Sequence, residues 1–428
     1  VTRRAADPPD KKVSRQQDKS GRFCCRNASI GEGFRVNIDL FGRETVQNPW
    51  PVLERLRAEG AVVKNDRVGT WMITTDSAVR KVLMNPARFT LDGCIGQEVF
   101  GPEAFITIDD KAQHDSLRGV WQVAFQRGTL ETMRGFITQL ADSMIDQVEE
   151  KLRSGETVDA EAELCRHLPA YVIAYMLGVP EEDRADIVRW SDDIGEAVGL
   201  PPNASRESDP IWLKARTAKA ELADYLSERI AYRRENPGDD LISQIVHSDI
   251  GKTLPHEALV ANSRQLLFAG NETTAKWLGH SLVVLAQHPD VRALLAVTPG
   301  RLGVSLEEVI RWQPVSMNLP RKVRGGDIEL EGVTIPDGAE LAVLLGSANR
   351  DEARFERAEL FDIDRPFKSH LGFGYGLHNC LGVTLARLET EVVISRVLAR
   401  IPDYVLAGEV TYSSFSLRGP QTLPIAMH

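Results

Sequence analysis

Cys380 lies in the segment Phe373-Gly-Tyr-Gly-Leu-His-Asn-Cys-Leu-Gly382, the stretch of the chain with the clearest chemical content. Gly374 and Gly376 let the backbone turn tightly and approach a flat ligand closely. Helical periodicity over 380–399 places Cys380 in a first helical turn. Unpaired backbone N–H groups and the helix dipole there lower a thiol's pKa and stabilise its anion. Phe373 can cover the sulfur and keep water away. A thiolate so placed suits a metal ligand, whereas a cysteine without such flanks is more often an inert buried thiol.

Three other groups have spacing that could do chemistry. Within 255–288, Leu266, Ala269, Gly270 and Thr273 follow the i, i+3, i+4, i+7 pattern of one helical face. Small residues there leave room for a plate-like ligand, and Glu272 and Thr273 set a carboxylate beside a hydroxyl in an otherwise apolar helix. Glu308 and Arg311 form an i, i+3 pair 380 − 308 = 72 residues before the cysteine. His114 and Arg118 are i, i+4 partners in His-Asp-Ser-Leu-Arg, able to meet acidic groups of a ligand.

Together these groups resemble the cytochrome P450 family. Phe373, Gly376, His378, Cys380 and Gly382 fill every defined place of its signature Phe-x-x-Gly-x-His/Arg-x-Cys-x-Gly. Residues 269–274 match its Gly-x-Asp/Glu-Thr-Thr motif, and Glu308 and Arg311 match its Glu-x-x-Arg helix. His114 and Arg118 match its His-x-x-x-Arg arrangement. The resemblance implies that Cys380 ligates the iron of haem b, beside Phe373, Gly374, Gly382, Ala269 and Gly270. It implies that His114, Arg118, Arg321 and His378 hold the propionates, and that Glu272 and Thr273 relay protons to bound O2. It also implies a buried ion network of Glu308, Arg311 and Arg365.

The implied activity is hydroxylation of a small hydrophobic substrate with O2 and two electrons. Only 428 − 380 = 48 residues follow the cysteine, so the electrons are expected from a separate partner. By resemblance that partner is a ferredoxin, fed from NAD(P)H by a ferredoxin reductase. The alternatives are a peroxide-driven or non-oxygenase haem-thiolate enzyme, and a non-enzymatic haem sensor or carrier. The segments 85–108, 199–212, 262–270, 315–319 and the last hairpin are expected to form the substrate pocket. Phe100, Phe105, Leu266, Val315, Met317, Leu319 and Phe415 are its expected lining.

The elements that must position these residues are mostly helices. The pattern predicts helices over 49–60, 110–126, 128–153, 161–178, 181–198, 210–235, 255–288, 304–313 and 380–399, with Asp76 capping one more. Strands are expected near 61–65, 70–75, 321–346 and the C-terminus. The longest helix is apolar on nearly every side and must be central. The fold class expected is mainly α: one large helical domain over 34–428 with small β-sheets at its edge.

Hydrophobic residues make up 43% and charged residues 26% of 428, ordinary for a globular domain. A net charge of −10 opposes nucleic-acid binding. Cys24, Cys25, Cys94, Cys165 and Cys380 make an odd, irregular set, which argues against a disulfide framework and for a reducing compartment. Residues 1–33 read as a disordered polar leader with no apolar core, so neither a signal peptide nor a membrane anchor is expected. The expectation is a cytoplasmic monomer.

Overall fold

The computed structural model describes residues 33–201 and 204–427. The leader expected over 1–33 therefore lies outside the described residues apart from Gly33, and so do Cys24 and Cys25. The domain is mainly helical with small peripheral sheets, as expected.

The organising element is the helix His256–Gln287, 32 residues and about 48 Å long at 1.5 Å per residue. It is buried along almost its whole length, which explains why its apolar residues show no single face. Helices His167–Met176, Arg184–Val198, Pro210–Glu235, Leu302–Trp312 and Val383–Arg400 pack around it, and Arg134–Arg153 packs on the last of these. Among the described residues no helix is long and apolar enough to cross a membrane.

A six-stranded mixed sheet flanks this helical body. Its order is Phe34–Val36, Val62–Asn65, Thr70–Ile73, Glu340–Val343, Leu319–Val323 and Phe89–Thr90. Antiparallel pairing sets Leu319 opposite Val343 and Arg321 opposite Leu341. This register holds two expected site residues on one short, well-anchored strand.

Four local expectations are corrected. The 85–108 segment is not irregular throughout: it folds into strand Phe89–Thr90, helix Ile95–Phe100 and the turn Phe105–Thr107. Polar side chains of the central helix make this possible by satisfying its backbone. Asn262 Oδ1 accepts from the Phe105 N–H at 2.9 Å and Gln265 Oε1 from the Ile106 N–H at 3.2 Å. Asp76 does not cap its helix; it is the first helical residue, and its carboxylate takes Arg80. The Asp76 amide is instead satisfied from afar by Asp351 Oδ2 at 2.8 Å. The stretch 161–178 is not one helix, because a five-residue π-helical turn, Glu161–Cys165, precedes His167–Met176. Finally, the helix after the cysteine begins at Val383, with Gly382 as its N-cap.

Candidate functional site

The cysteine loop is a compact turn that ends where that helix begins. The Cys380 N–H donates to the Phe373 carbonyl at 2.9 Å, and the Gly374 N–H donates to the Leu371 carbonyl at 2.9 Å. Gly376 has φ +74°, and a Cβ there would lie 2.6 Å from the Leu83 carbonyl oxygen. Only glycine permits both that conformation and that approach. Phe373 packs edge-on to Trp277 at 5.5 Å, with the Arg387 guanidinium 5.2 Å from its ring.

Cys380 thus precedes the helix instead of sitting in its first turn. Burial pushes its thiol above the ordinary value, against the Gly382 N–H, Arg118 and Arg387, which all favour the thiolate. The lowered pKa expected from the helix end alone is therefore reversed by desolvation. A thiolate here needs a positive partner on the sulfur itself. Arg387 is fixed by Glu307, which accepts from it at 2.8 and 2.7 Å and lies 3.2 Å from His370. Desolvation would raise the Glu307 pKa, but His370 and Arg387 hold it down to about 2. This trio was not apparent in the sequence; its only signal was the arginine one turn into the helix after the motif.

Phe373, Gly374, His378, Cys380 and Gly382 line one wall of a cavity of about 220 Å³. Leu266, Ala269, Gly270 and Thr273 of the central helix form the facing wall, with His114 and Arg118 at one end. Gly270 exposes backbone here, and its missing side chain serves helix packing, since a Cβ would stand 3.3 Å from Ile173. Thr273 Oγ1 donates to the Ala269 carbonyl at 2.8 Å. Glu272 does not share that face. It turns to the far side of the helix, pairs with Lys276, and lines a separate polar cavity.

The expected propionate partners gather at one end. The His114 and His378 rings meet edge-to-face at 5.0 Å, and His378 Nε2 lies 3.8 Å from Asp109 Oδ1. Burial lowers the pKa of both histidines, against Asp115 beside His114 and Asp109 beside His378. Arg118 and Arg321 carry the charge, although burial pushes Arg321 down to about 10. His114 Nε2, both His378 ring nitrogens and Asp109 Oδ1 are buried without hydrogen-bond partners. Buried polar atoms are rarely left so, and a ligand with two carboxylates reaching this end would satisfy the donors. The residues present therefore fit a ligand with two carboxylates, which His114, Arg118, Arg321 and His378 would hold. Asp109 was missed by motif reasoning, although it stands five residues before His114.

Glu308, Arg311 and Arg365 are brought together as expected from the resemblance. Arg311 donates two bonds of 2.7 Å to the Glu308 carboxylate and others to the Asn349, Ala358 and Leu360 carbonyls. Arg365 Nε donates to Glu308 Oε1 at 3.1 Å.

A second, largely apolar cavity adjoins the first, and Ile106, Ala269, Thr273, Ser316, Leu319 and His378 line both. Phe105, Leu266 and Val315 line the first, and Phe100 the second. Met317 and Phe415 line neither. They are fully buried with Leu53 and Leu344 in a separate core cluster, where Met317 packs against Gly346. Cys94, Asn318 and Trp212, which lie within the segments expected to form the pocket, also line the second cavity.

Comparison with known proteins gives the same picture. The Cytochrome P450 family model matches residues 66–296 and 302–401. The chain is 32% identical to vitamin D(3) 25-hydroxylase of Pseudonocardia autotrophica, across 91% of this chain and 96% of that protein. It is 36% identical to a steroid C26-monooxygenase of Mycobacterium tuberculosis, across 83% and 92%. The crystal structure of CYP109E1 from Bacillus megaterium in complex with testosterone superposes with a TM-score of 0.83 and 30% identity, covering 90% of this chain and all of that one. These matches support the oxidoreductase, monooxygenase, haem and iron parts of the expectation. The cytoplasmic location and the ferredoxin do not stand with them: neither the family match nor the fold supports either. The match across nearly the whole described chain and the cavity facing Cys380 make this protein a member of the cytochrome P450 family.

Proposed function

We propose that this chain hydroxylates a small hydrophobic molecule of steroid size, acting as a monomer with electrons from a separate donor protein supplied by NAD(P)H. The observation that carries this reading is the apolar second cavity, which meets the cysteine-facing cavity at Thr273. Cavities of this kind, apolar with a few converging polar groups, suit hydrophobic ligands held in one orientation. Ser316 and Asn318, along with Thr273, are among the polar groups of the second cavity's lining that would orient a hydroxyl or ketone. The relatives that act on vitamin D(3) and on steroids, and the structure that holds testosterone, support the size class.

Cys380 would bind the iron of haem b, and His114, Arg118, Arg321 and His378 would hold its propionates. Bound haem, with its thiolate ligand, supplies the oxygen-activating chemistry. The protein's own tasks are to position substrate, exclude water and deliver protons. Phe105, Leu266, Val315 and Leu319 shape an apolar wall that excludes water. The Thr273 hydroxyl, held by the Ala269 carbonyl, is the group placed to pass a proton into the cavity, and Glu272, once protonated and released from Lys276, would recharge it.

The test is turnover with isotopically labelled O2, testosterone or vitamin D(3), and an NAD(P)H-driven donor system. Label in a hydroxylated product supports the reading. Product formed only with peroxide, or no product and no spin-state change with any lipophilic compound, would overturn it.

A further inference from the structure

We propose that Glu161 is the proton store behind Glu272, the two carboxyls sharing Lys276 as their main counter-charge. This rests on the reading of Glu272 and Thr273 as the proton-delivering pair. It arises from the second face of the central helix, where Glu161, Glu272 and Lys276 line a polar cavity on the other side from Thr273. That cavity has its rim at the partly exposed Arg166–Asp192 ion pair, so water can reach the cluster without crossing the substrate space.

Two glycines make room for the two carboxyls. A Cβ at Gly195 would stand 3.1 Å from Glu272 Oε1, and one at Gly279 would stand 3.3 Å from Glu161 Oε2. Glu161 opens the π-helical turn Glu161–Cys165, a distortion often found at functional sites. Its amide donates to Asp159 Oδ1 at 3.0 Å, which fixes the start of that turn.

The charges do not balance if both acids are ionised. Lys276 and Glu272 are 13% and 15% exposed and pair with each other. Glu161 Oε2 is buried with no hydrogen-bond partner. A second buried carboxylate would be uncompensated, so Glu161 keeps its proton. The neighbouring groups agree. Desolvation, moderated by Lys276 and more weakly by Arg166 and reinforced by Glu272 and Asp159, pushes the Glu161 pKa up to about 8. Arg166 stands one turn on and pairs with Asp192, and Glu196 lines the same cavity. Lys151 of the adjoining helix is taken by Glu163. Cys165 is buried with its pKa raised, and burial lowers that of His167. Strand Pro420–Thr422 brings no charge.

The transfer is balanced. The O–H bond at Glu161 breaks and one forms on the Glu272 carboxylate through water in the cavity. Lys276 then follows the negative charge to Glu161, which releases a neutral Glu272 from its ion pair. Glu161 takes a fresh proton from solvent.

The experiment compares wild type, Glu161→Gln and Glu161→Asp in two measurements. Infrared spectra of the cofactor-free protein, titrated between about pH 6 and 10, read buried carboxylic acids. Wild type should show a protonated-carboxyl band that disappears near pH 8, absent from Glu161→Gln and displaced in Glu161→Asp. In the loaded enzyme, product per electron should fall as pH rises through about 8, since Glu161 loses its proton there. In Glu161→Gln it should be about tenfold lower and flat with pH, with part of the pH response restored in Glu161→Asp. An unchanged band, or unchanged coupling and pH profile in Glu161→Gln, overturns the proposal while leaving the monooxygenase reading intact. Absence of label in product from wild type would instead strike that reading. If Glu161→Gln does not fold, an undisplaced band in Glu161→Asp overturns the proposal.

Discussion

Replacing Glu307 with glutamine should weaken the fold in a way that depends on pH with a defined sign. Glu307 holds Arg387, the guanidinium over Phe373, and is only 18% exposed. Its pKa is about 2 in the fold against an ordinary 4.5. A difference of this size corresponds to about 3 kcal/mol at neutral pH, at roughly 1.4 kcal/mol per pKa unit. Because the folded value is the lower one, the contribution is complete above the unfolded pKa and is lost as pH falls toward 2. Near pH 5 almost all of it remains, and near pH 3 it drops to about 1.5 kcal/mol. Urea unfolding of wild type and Glu307→Gln across that range measures the gap directly. The gap should be about 3 kcal/mol at pH 7 and should close on acidification. A gap that is under about 1 kcal/mol at pH 7, or that widens with acid, would refute the claim that His370 and Arg387 clamp this carboxylate.

Three other outcomes are expected. Thr273→Ala removes the hydroxyl that lines both cavities, so product formed per electron should fall by about tenfold or more with substrate affinity little changed; electron and product counting in one assay measures this. Arg311→Met leaves Glu308 buried with Arg365 as its remaining cation and strips bonds from three carbonyls. It should cost about 3–5 kcal/mol and lower haem retention, read by denaturant unfolding and haem content. Gly376→Ala forces a methyl to within 2.6 Å of the Leu83 carbonyl at φ +74°. A loss of about 2 kcal/mol or more is expected by thermal or urea unfolding, with the cysteine loop loosened.

What the sequence revealed and what it hid follow from how local each feature is. The bounds of Pro210–Glu235 and His256–Gln287 were legible because caps and apolar spacing are properties of a single element. Glu308 and Arg311 were readable for the same reason, and the cysteine loop because its glycines and aromatic form one continuous segment. Features set by packing between remote elements were not readable. Met317 and Val315 are two residues apart, yet only Val315 meets the cavity, because Gly346 and Leu53 accept the methionine from another part of the chain. Glu272 and Thr273 adjoin in sequence, but the helical turn sends one carboxylate to Lys276 and one hydroxyl to the cavity. Desolvation was the other hidden quantity. It lowers the pKa of His114 and His378 and raises that of Cys380, outcomes that depend on burial and not on residue type.

The central claim is that Cys380 is the thiolate ligand of a haem iron. The absorption spectrum of the reduced, haem-loaded protein with carbon monoxide tests it most directly. Thiolate ligation predicts a Soret band strongly displaced to the red in wild type and lost in Cys380→His. A band at the position of histidine-ligated haem in wild type, or a red-displaced band that survives in Cys380→His, would contradict the account.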